Sequence, residues 1–343
     1  MKPTTKPTPH RTRRMRRAAF LIFPLIVLPL LLVAAAPPGA TQQTSPAVAA
    51  QNAPDTSGTL KLIVTVMDEK WRFVSGLRKD AFAVFEGKTE REITYFDQHD
   101  VPVSVGVLLD SSGSMEIAGL QAAKLTAARF MQQGHPDNDY FIGDFNQEWR
   151  ELTGWTRDEK VMIEGLSKAG VRPAEAAKRQ PRPSGQTALH DACLAALEKL
   201  ATATHPKRAL LVITDGGEDN ASTHKLRELK QLIKTSDVLV YAIALPVEGE
   251  RYFDQIGLRN LEEIAEISGG WAFFPERKQV IEAVDRLALG LRHQYVVGFT
   301  PANAAQSGEW NKVKIKVKPP PKFPKSLYVR SREGYFSPPA PAP

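Results

Sequence analysis

The chain has 343 residues, 42% hydrophobic and 24% charged, which excludes a disordered or collagen-like chain and leaves room for about two domains. The formal net charge is +7, but seven of the 45 Lys and Arg residues lie in the first 17 positions, and the 38 that remain equal the 38 Asp and Glu residues. This neutral remainder argues against nucleic acid as a partner. A single cysteine, Cys193, excludes an intrachain disulfide and any metal site of clustered cysteines.

Residues 1–36 have the pattern of an export signal or a membrane anchor. A basic flank precedes residues 18–36, which carry no charged side chain, and this order places the basic flank inside and the rest of the chain outside the cytoplasm. The apolar run just reaches the length of a membrane span, so a cleaved signal peptide and a retained anchor both stay open. We expect a periplasmic, secreted or outward-facing anchored protein, in which Pro-, Ala-, Thr- and Gln-rich residues 37–57 form a flexible linker.

Two separate stretches of the chain alternate between apolar and polar residues. Residues 59–67 predict a half-buried strand, with shorter strands at 82–85 and 93–96. Each stretch is too short for a core of its own, so we expect residues 58–100 and 293–336 to pair into one small β-sandwich-like domain, followed by a tail at 337–343.

Lysines alternate with apolar residues between positions 312 and 317. The period of two predicts a strand whose lysines share one face. Those lysines are read as a solvated face or as protection of a sheet edge, with an anion-binding strip as the open alternative.

Between the two β segments, residues 101–292 predict an α/β domain. Apolar runs at 103–109, 209–213 and 238–245 are typical of central strands in a parallel sheet. Helical spacing of apolar residues fills the intervening segments at 119–132, 157–168, 187–200, 223–235, 259–267 and 276–292. Ser222 is expected to cap the helix at 223, and Gly269 to end the helix at 259–267. The fold class is therefore α/β, with a doubly wound, mainly parallel, Rossmann-like sheet inserted in the β-sandwich-like domain.

Oxygen-bearing side chains follow the ends of two of these strands and open one helix. Ligands in a doubly wound sheet bind beyond the carboxyl ends of the strands, where the sequence has Asp110-Ser111-Ser112-Gly113-Ser114 and Thr214-Asp215-Gly216, with Gly185-Gln186-Thr187 between them. These loops resemble the metal-ion-dependent adhesion site of the von Willebrand factor type A domain, which has Asp-x-Ser-x-Ser in one loop, a threonine in a second and an aspartate in a third. The resemblance implies a site of five residues, Asp110, Ser112, Ser114, Thr187 and Asp215. Outside the site, segments between residues 58 and 336 resemble a bacterial group of secreted proteins related to that domain.

The donor chemistry and the resemblance together imply a divalent cation. Mg²⁺ takes six oxygen ligands and tends to keep waters, with Mn²⁺ as the alternative ion. Three hydroxyls add no charge, so the two aspartates only just balance the ion. The resemblance implies that a carboxylate from a partner protein completes the coordination, giving a non-enzymatic, adhesion-type binding module whose only membrane contact is the possible N-terminal anchor.

Two other functions stay open beside this one. The first is an assembly or chaperone-type subunit of an envelope complex, and the second, less favoured, is a metal-dependent hydrolase. A serine hydrolase needs glycines two residues on either side of its nucleophile, whereas Ser112 has Asp110 and Ser114 there. We expect His190 to be a surface or hydrogen-bonded histidine rather than a ligand, Cys193 to be a buried thiol, and the 218–219 acidic pair to be a solvated loop.

Overall fold

A computed structural model describes residues 58–171, 187–216, 221–246, 255–302 and 309–337. The chain contains one mainly parallel sheet and two antiparallel sheets. The strands are Leu60–Asp68 (β1), Phe82–Glu86 (β2), Thr89–Arg91 (β3), Ile93–Asp97 (β4), Ser104–Asp110 (β5), Asp139–Phe145 (β6), Trp149–Thr156 (β7), Arg208–Thr214 (β8), Leu239–Ala244 (β9), Ala272–Phe273 (β10), Tyr295–Phe299 (β11), Trp310–Val317 (β12), Leu327–Arg330 (β13) and Gly334–Phe336 (β14). The α-helices are Glu116–Gln133 (α1), Glu159–Lys168 (α2), Leu189–Leu200 (α3), Leu226–Thr235 (α4), Gln255–Ser268 (α5) and Val280–Arg292 (α6).

A six-stranded sheet forms the centre of the α/β part. Its strand order is β10-β9-β8-β5-β6-β7, and every neighbouring pair is parallel except β6 and β7. Helices α1, α2 and α6 pack on one face, in a core with Val105 and Val107 of β5. Helices α3, α4 and α5 pack on the other face, around Leu108 and Leu210. Because both faces are covered, β5 is buried at every position, and the predicted α/β fold class is confirmed.

The winding direction of the sheet reverses between β5 and β8, which are neighbours. The helix that follows β5 lies on one face, whereas the helix that follows β8 lies on the other. Loops leaving the carboxyl ends of two such strands diverge, and this leaves a crevice in which ligands bind in open α/β sheets. The fold therefore places residues 110–115 and 214–216 on either side of the crevice.

Strands that precede and follow the α/β segment pair with each other. β1 lies between β13 and β11 in one antiparallel sheet of order β13-β1-β11-β4, and β2 pairs with β12 in a second sheet of order β14-β12-β2-β3. Apolar side chains of both sheets share one core, which includes Leu62, Val84, Val297 and Ile315. This pairing matches the predicted sandwich; the exact residue bounds of the domains stay a prediction.

Several local expectations differ from the structure. Ser222 does not cap the helix after it, because α4 begins at Leu226 with Lys225 as its N-cap. Helix α1 begins at Glu116, three residues before the predicted start, and α6 is preceded by a short 3₁₀ turn at Arg277–Gln279. Gly269 does end α5, in the left-handed conformation with φ +86°.

The lysine-bearing strand β12 is bordered on both sides along only part of its length. It lies between β14 and β2 over Trp310–Lys312, whereas Val313–Val317 pair in register with β2 alone. A solvated face and edge protection therefore both stay predictions for Lys314 and Lys316. The apolar pattern did not predict four strands, β6, β7, β11 and β13. In β6 the pattern is interrupted by Gly143 in mid-strand, where the Trp149 ring leaves no room for a Cβ.

The expected signal or anchor, the linker and the 218–219 pair all lie outside the described residues. Within the described ranges, none of the helices combines the length and apolar character needed to cross a bilayer.

Candidate metal centre

Asp110 is the last residue of β5 and is fully buried. Its Oδ1 accepts the backbone N–H of Ser112 at 2.9 Å, and its Oδ2 accepts the hydroxyl of Thr214 at 2.6 Å. The loop after β5 and the end of β8 thus hold this carboxylate from opposite sides of the crevice. A carboxylate removed from water in this way needs compensation, because burial strongly disfavours its charged form.

The two serines of the first loop lie side by side. Ser112 and Ser114 place their Oγ atoms 3.0 Å apart at a short 3₁₀ turn, Gly113–Met115. The backbone of Ser111, held by the carbonyl oxygen of Phe145 at 2.8 Å, fixes the loop against the end of β6. The turn closes with Glu116 at φ 51°, a left-handed conformation that a side chain rarely adopts, whereas Gly113 has no such positive φ. The strain therefore lies at the glutamate that opens α1 and not at the glycine.

Thr187 is fully buried just before α3. Its hydroxyl Oγ1 has no hydrogen-bond partner among the described residues. The next residue, Ala188, donates its N–H to the carbonyl of Asn146 at 2.6 Å, which brings this segment to the end of β6, where the first loop is also held. An unpaired buried hydroxyl costs about 1–3 kcal/mol, so the position is explained best by a ligand that the hydroxyl contacts.

Asp215 follows β8 and acts electrostatically on Asp110. Burial, and then the negative charge of Asp215, raise the pKa of Asp110 to about 7, against hydrogen bonds from Ser112 and Thr214 that lower it. Gly216, at φ +94°, turns the chain beside the site and donates its N–H to Thr214 Oγ1 at 3.0 Å. Thr214 therefore bridges Asp110 and the third loop, a role that its position at a strand end did not reveal.

The residues present fit a hard divalent cation. The donor set contains two carboxylates and three hydroxyls, all oxygen, as Mg²⁺ and Mn²⁺ prefer. A cation would offset the repulsion between the two aspartates, and the unpaired hydroxyl oxygen of Thr187 could coordinate it. Across the described ranges, no group of three or more His, Cys, Asp or Glu side chains is placed to hold a metal, so a site here depends on its hydroxyls.

A buried ion pair that the sequence analysis missed supports the same edge of the sheet. Asp144, near the end of β6 and 2% exposed, accepts two hydrogen bonds from Arg150, at 2.9 and 2.7 Å, and one from the N–H of Gly170 at 2.7 Å. Asp144 lies opposite Leu109 in the register of the neighbouring strand. The signal was present, since this carboxylate also ends an apolar run.

The start of α3 is held by a second set of contacts. Ser222 Oγ accepts the N–H groups of His190 and Asp191 at 3.1 and 3.4 Å. The Asp191 carboxylate in turn accepts the N–H groups of Thr223 and His224 at 2.7 and 2.9 Å. Ser222 therefore caps α3, not the helix that follows it in sequence, and ties the Thr187 segment to the chain beyond β8.

Cys193 lies where the sequence predicted, 1% exposed on the apolar face of α3. His190, in the first turn of the same helix, is 9% exposed, so the expectation of a surface histidine is wrong.

The comparison with family models gives the class of protein that this fold and site define. The model of the von Willebrand factor type A domain matches residues 104–286, a span that contains the whole parallel sheet and all five predicted site residues. The chain belongs to the von Willebrand factor type A domain family. Domains of this family are in general protein-interaction and adhesion modules and are typically non-enzymatic.

Several solved structures are similar to this chain. An aerotolerance-related membrane protein from Bacteroides fragilis is 19% identical, with 55% of this chain and 98% of that one covered and a TM-score of 0.42. A von Willebrand factor type A protein from Catenulispora acidiphila is 11% identical, with 73% of each chain covered and a TM-score of 0.44. The corresponding domain of a type V pili tip protein from Porphyromonas gingivalis is 14% identical, with 55% and 95% covered and a TM-score of 0.42. A search of curated proteins found no match.

Proposed function

We propose that this chain is an exported, metal-dependent protein-binding module. In this proposal Mg²⁺, or Mn²⁺ in its place, is held by Asp110, Ser112, Ser114, Thr187 and Asp215. The partner is a protein that presents an acidic side chain, and the binding is of the adhesion type.

The unpaired Thr187 hydroxyl is the observation that carries the proposal. A structural polar edge would satisfy a fully buried hydroxyl with a neighbouring group, as Thr214 is satisfied by Asp110 at 2.6 Å. Thr187 Oγ1 has no such neighbour among the described residues. The raised pKa of Asp110 points the same way, because two carboxylates at one crevice repel each other unless a cation lies between them.

The charge balance of the site favours an anionic partner. Two aspartates neutralise a divalent ion without overcompensating it, and the hydroxyl donors add no charge. When bound, the cation supplies a Lewis-acidic position that can accept a carboxylate oxygen. The protein's own contribution is rigidity, since hydrogen bonds from Ser112 and Thr214 fix the orientation of Asp110 before any partner arrives.

A hydrolytic role finds less support in the geometry. The Ser112 hydroxyl is hydrogen-bonded to another hydroxyl, that of Ser114, at 3.0 Å. In the described part of the chain no histidine forms a hydrogen bond with either serine, so a general base for nucleophilic attack is lacking there.

Thermal unfolding of the full-length chain, in Mg²⁺ and in chelator, tests the metal dependence. A ligand at 100 times its dissociation constant stabilises the folded state by about 2.7 kcal/mol, so the wild-type protein should melt at a higher temperature in Mg²⁺. Asp110→Ala should melt at the same temperature in both solutions. The matched control is Asp80→Ala, which removes an exposed aspartate far from the crevice in sequence and should keep the full response.

Capture of a partner from cell-envelope extracts tests the second half of the proposal. The wild-type chain should retain a protein in Mg²⁺ and release it in chelator, and Asp110→Ala should retain none. Equal thermal responses of wild type and Asp110→Ala would contradict the metal site, whereas a partner retained equally in chelator would contradict metal-dependent binding.

A further inference from the structure

The outward side of the sheet β14-β12-β2-β3 carries a row of lysines that the metal site does not use. Lys312, Lys314 and Lys316 are exposed, while the alternating Val313 and Ile315 are 6% and 5% exposed in the sandwich core. We call the three lysines and the side chains beside them the lysine face. Successive lysines on one side of a strand lie about 7 Å apart.

No acidic side chain pairs directly with these lysines across β2, and on this face of the sheet Glu90 lies one strand further away, opposite Phe85. The cross-strand partners of Lys314 and Lys316 on β2 are Phe85 and Ala83, and none of the three lysines has an ion pair with a described residue. The stretch 310–332 contains eight basic residues and no acidic one. Its two arginines are engaged elsewhere, Arg330 with Glu266 at 2.5 Å and Arg332 with the carbonyl of Lys234 at 2.8 Å.

The three lysines therefore repel one another on one face of the sheet. Because the chain beyond residue 17 is neutral in total, this positive excess is local. β14 pairs with β12 only over Trp310–Lys312, and the stretch that carries Lys314 and Lys316 pairs with β2 alone. A flat row of unpaired lysines is complementary to a flat anionic surface.

Aromatic rings border the lysines. The Lys316 ammonium lies 4.3 Å from the centre of the Phe85 ring. At the start of the strand the Trp310 and Phe336 rings, both half-buried, meet at 4.9 Å. Lysines mixed with aromatic rings are typical of surfaces that lie at the interface of a membrane, where rings sit at headgroup level.

We propose that the lysine face docks on an anionic lipid bilayer. The sequence supplies the reason to choose a bilayer over another polyanion: residues 18–36 are expected to be a signal or an anchor, and residues 37–57 are too few to span more than about 75 Å between such an anchor and β1. Tethering of this kind raises the effective concentration of a weak surface contact. Lipid docking is separate from the metal centre and leaves it free for its protein partner.

Fluorescence quenching on vesicles tests this docking with the full-length chain. Glu90, which pairs with Phe85 across the sheet, is changed to Cys and labelled with a dye, while vesicles carry a headgroup quencher. Cys193 is 1% exposed and stays unlabelled. The matched control label is at Glu262→Cys, an exposed position on α5. The vesicles are phosphatidylcholine with or without phosphatidylglycerol, so that insertion of residues 18–36 is common to both.

The dye at position 90 should be quenched on vesicles that contain phosphatidylglycerol and should not be quenched on vesicles of phosphatidylcholine alone. The dye at position 262 should not be quenched on either kind of vesicle. About 1 M salt, where the Debye length is about 3 Å, should abolish the quenching. The triple variant Lys312→Glu, Lys314→Glu, Lys316→Glu should lower the association of the face at least about 100-fold, from about 1 kcal/mol for each lysine near an anionic membrane.

The matched control is a second triple variant with the same change in charge, made at exposed lysines elsewhere: Lys70→Glu, Lys160→Glu and Lys278→Glu. It should keep the quenching at position 90. Equal loss in both triple variants would show a non-specific charge effect and overturn the proposal. Absence of quenching at position 90 in the chain with unchanged lysines would also overturn the proposal. Quenching that soluble polyphosphate abolishes and that does not depend on the lipid composition would overturn it in favour of a soluble polyanion.

Discussion

Replacing Thr187 by valine should stabilise the metal-free protein and at the same time remove its response to metal. The hydroxyl of Thr187 is fully buried and has no hydrogen-bond partner among the described residues. Valine has nearly the same shape and puts a methyl group where the hydroxyl was. The substitution therefore removes the cost of a buried, unsatisfied polar group while it also removes one predicted metal ligand.

The magnitude follows from that cost. Desolvation of an unpaired hydroxyl is about 1–3 kcal/mol, of which the valine should recover about 1–2 kcal/mol. For domains of comparable size a change of 1 kcal/mol shifts the melting temperature by about 2–4 °C. In chelator, Thr187→Val should therefore melt roughly 2–8 °C above the wild type. In Mg²⁺ the order should reverse if the ion stabilises the wild type by more than this amount.

Differential scanning fluorimetry of three full-length proteins, each with chelator and with Mg²⁺, measures both effects. Thr187→Ser keeps the hydroxyl and should keep the metal response, which separates the loss of the oxygen from the loss of the methyl group. If Thr187→Val were less stable than the wild type in chelator, the hydroxyl would have an internal partner. The inference of a metal ligand at this position would then fail.

Three further substitutions test the surrounding structure. Gly270→Ala should cost more than about 3 kcal/mol in urea unfolding, because an added Cβ would lie 2.0 Å from the carbonyl oxygen of Val240; a loss below 1 kcal/mol would contradict this packing. Asp144→Asn should cost about 2–4 kcal/mol by the same assay, since Arg150 loses its charged partner, and an unchanged midpoint would contradict it. Glu86→Gln should be destabilising near neutral pH, with the difference shrinking as the pH falls below about 4.5, as acid titration monitored by circular dichroism should show.

The sign of the Glu86 effect follows from its environment. Burial alone would raise the pKa of this carboxyl, but hydrogen bonds from Tyr335, Ala302 and Arg91 outweigh it and lower the pKa below the ordinary 4.5. A lowered pKa in the folded state gives stability that is present above the unfolded-state pKa and is lost as the pH falls through the folded one. A difference between the two proteins that grew in acid would contradict this direction.

The sequence predicted the α/β part well because its strands are buried on both faces. Residues 103–109 and 209–213 are nearly continuous apolar runs, and they form the central strands β5 and β8 within a residue or two. Strands with weaker patterns were missed. β6 is interrupted by Gly143, where a Cβ would lie 1.8 Å from the ring of Trp149, and a contact of this kind depends on tertiary packing.

Long-range hydrogen bonding set the other limits. Ser222 has the local signature of a helix cap, yet its hydroxyl accepts N–H groups from a helix 31 and 32 positions earlier. The lysines of β12 were assigned to one face correctly, but the strand beside them, β2, belongs to the other β segment, on the far side of the α/β part in sequence. Composition and the periodicity of apolar residues describe each segment alone, and neither specifies which segments pair or pack together.

At the candidate metal centre, the sequence predicted the types of side chain but not the contacts that support them. The alternation in Asp110-Ser111-Ser112-Gly113-Ser114 gives the order of the oxygens, and the structure brings Asp110 Oδ1 to the backbone of Ser112 and the two serine hydroxyls together. That Thr214 holds Asp110 from the neighbouring strand follows only from the pairing of β5 with β8.

Binding of Mn²⁺ counted by electron paramagnetic resonance tests the central claim most directly, because the signal of free Mn²⁺ falls in proportion to the ions bound. The full-length wild-type chain should bind one ion that Mg²⁺ displaces, and Asp110→Ala and Thr187→Val should bind none at the same concentrations. A wild-type chain that leaves the Mn²⁺ signal unchanged, or an Asp110→Ala chain that binds as the wild type does, would contradict the account.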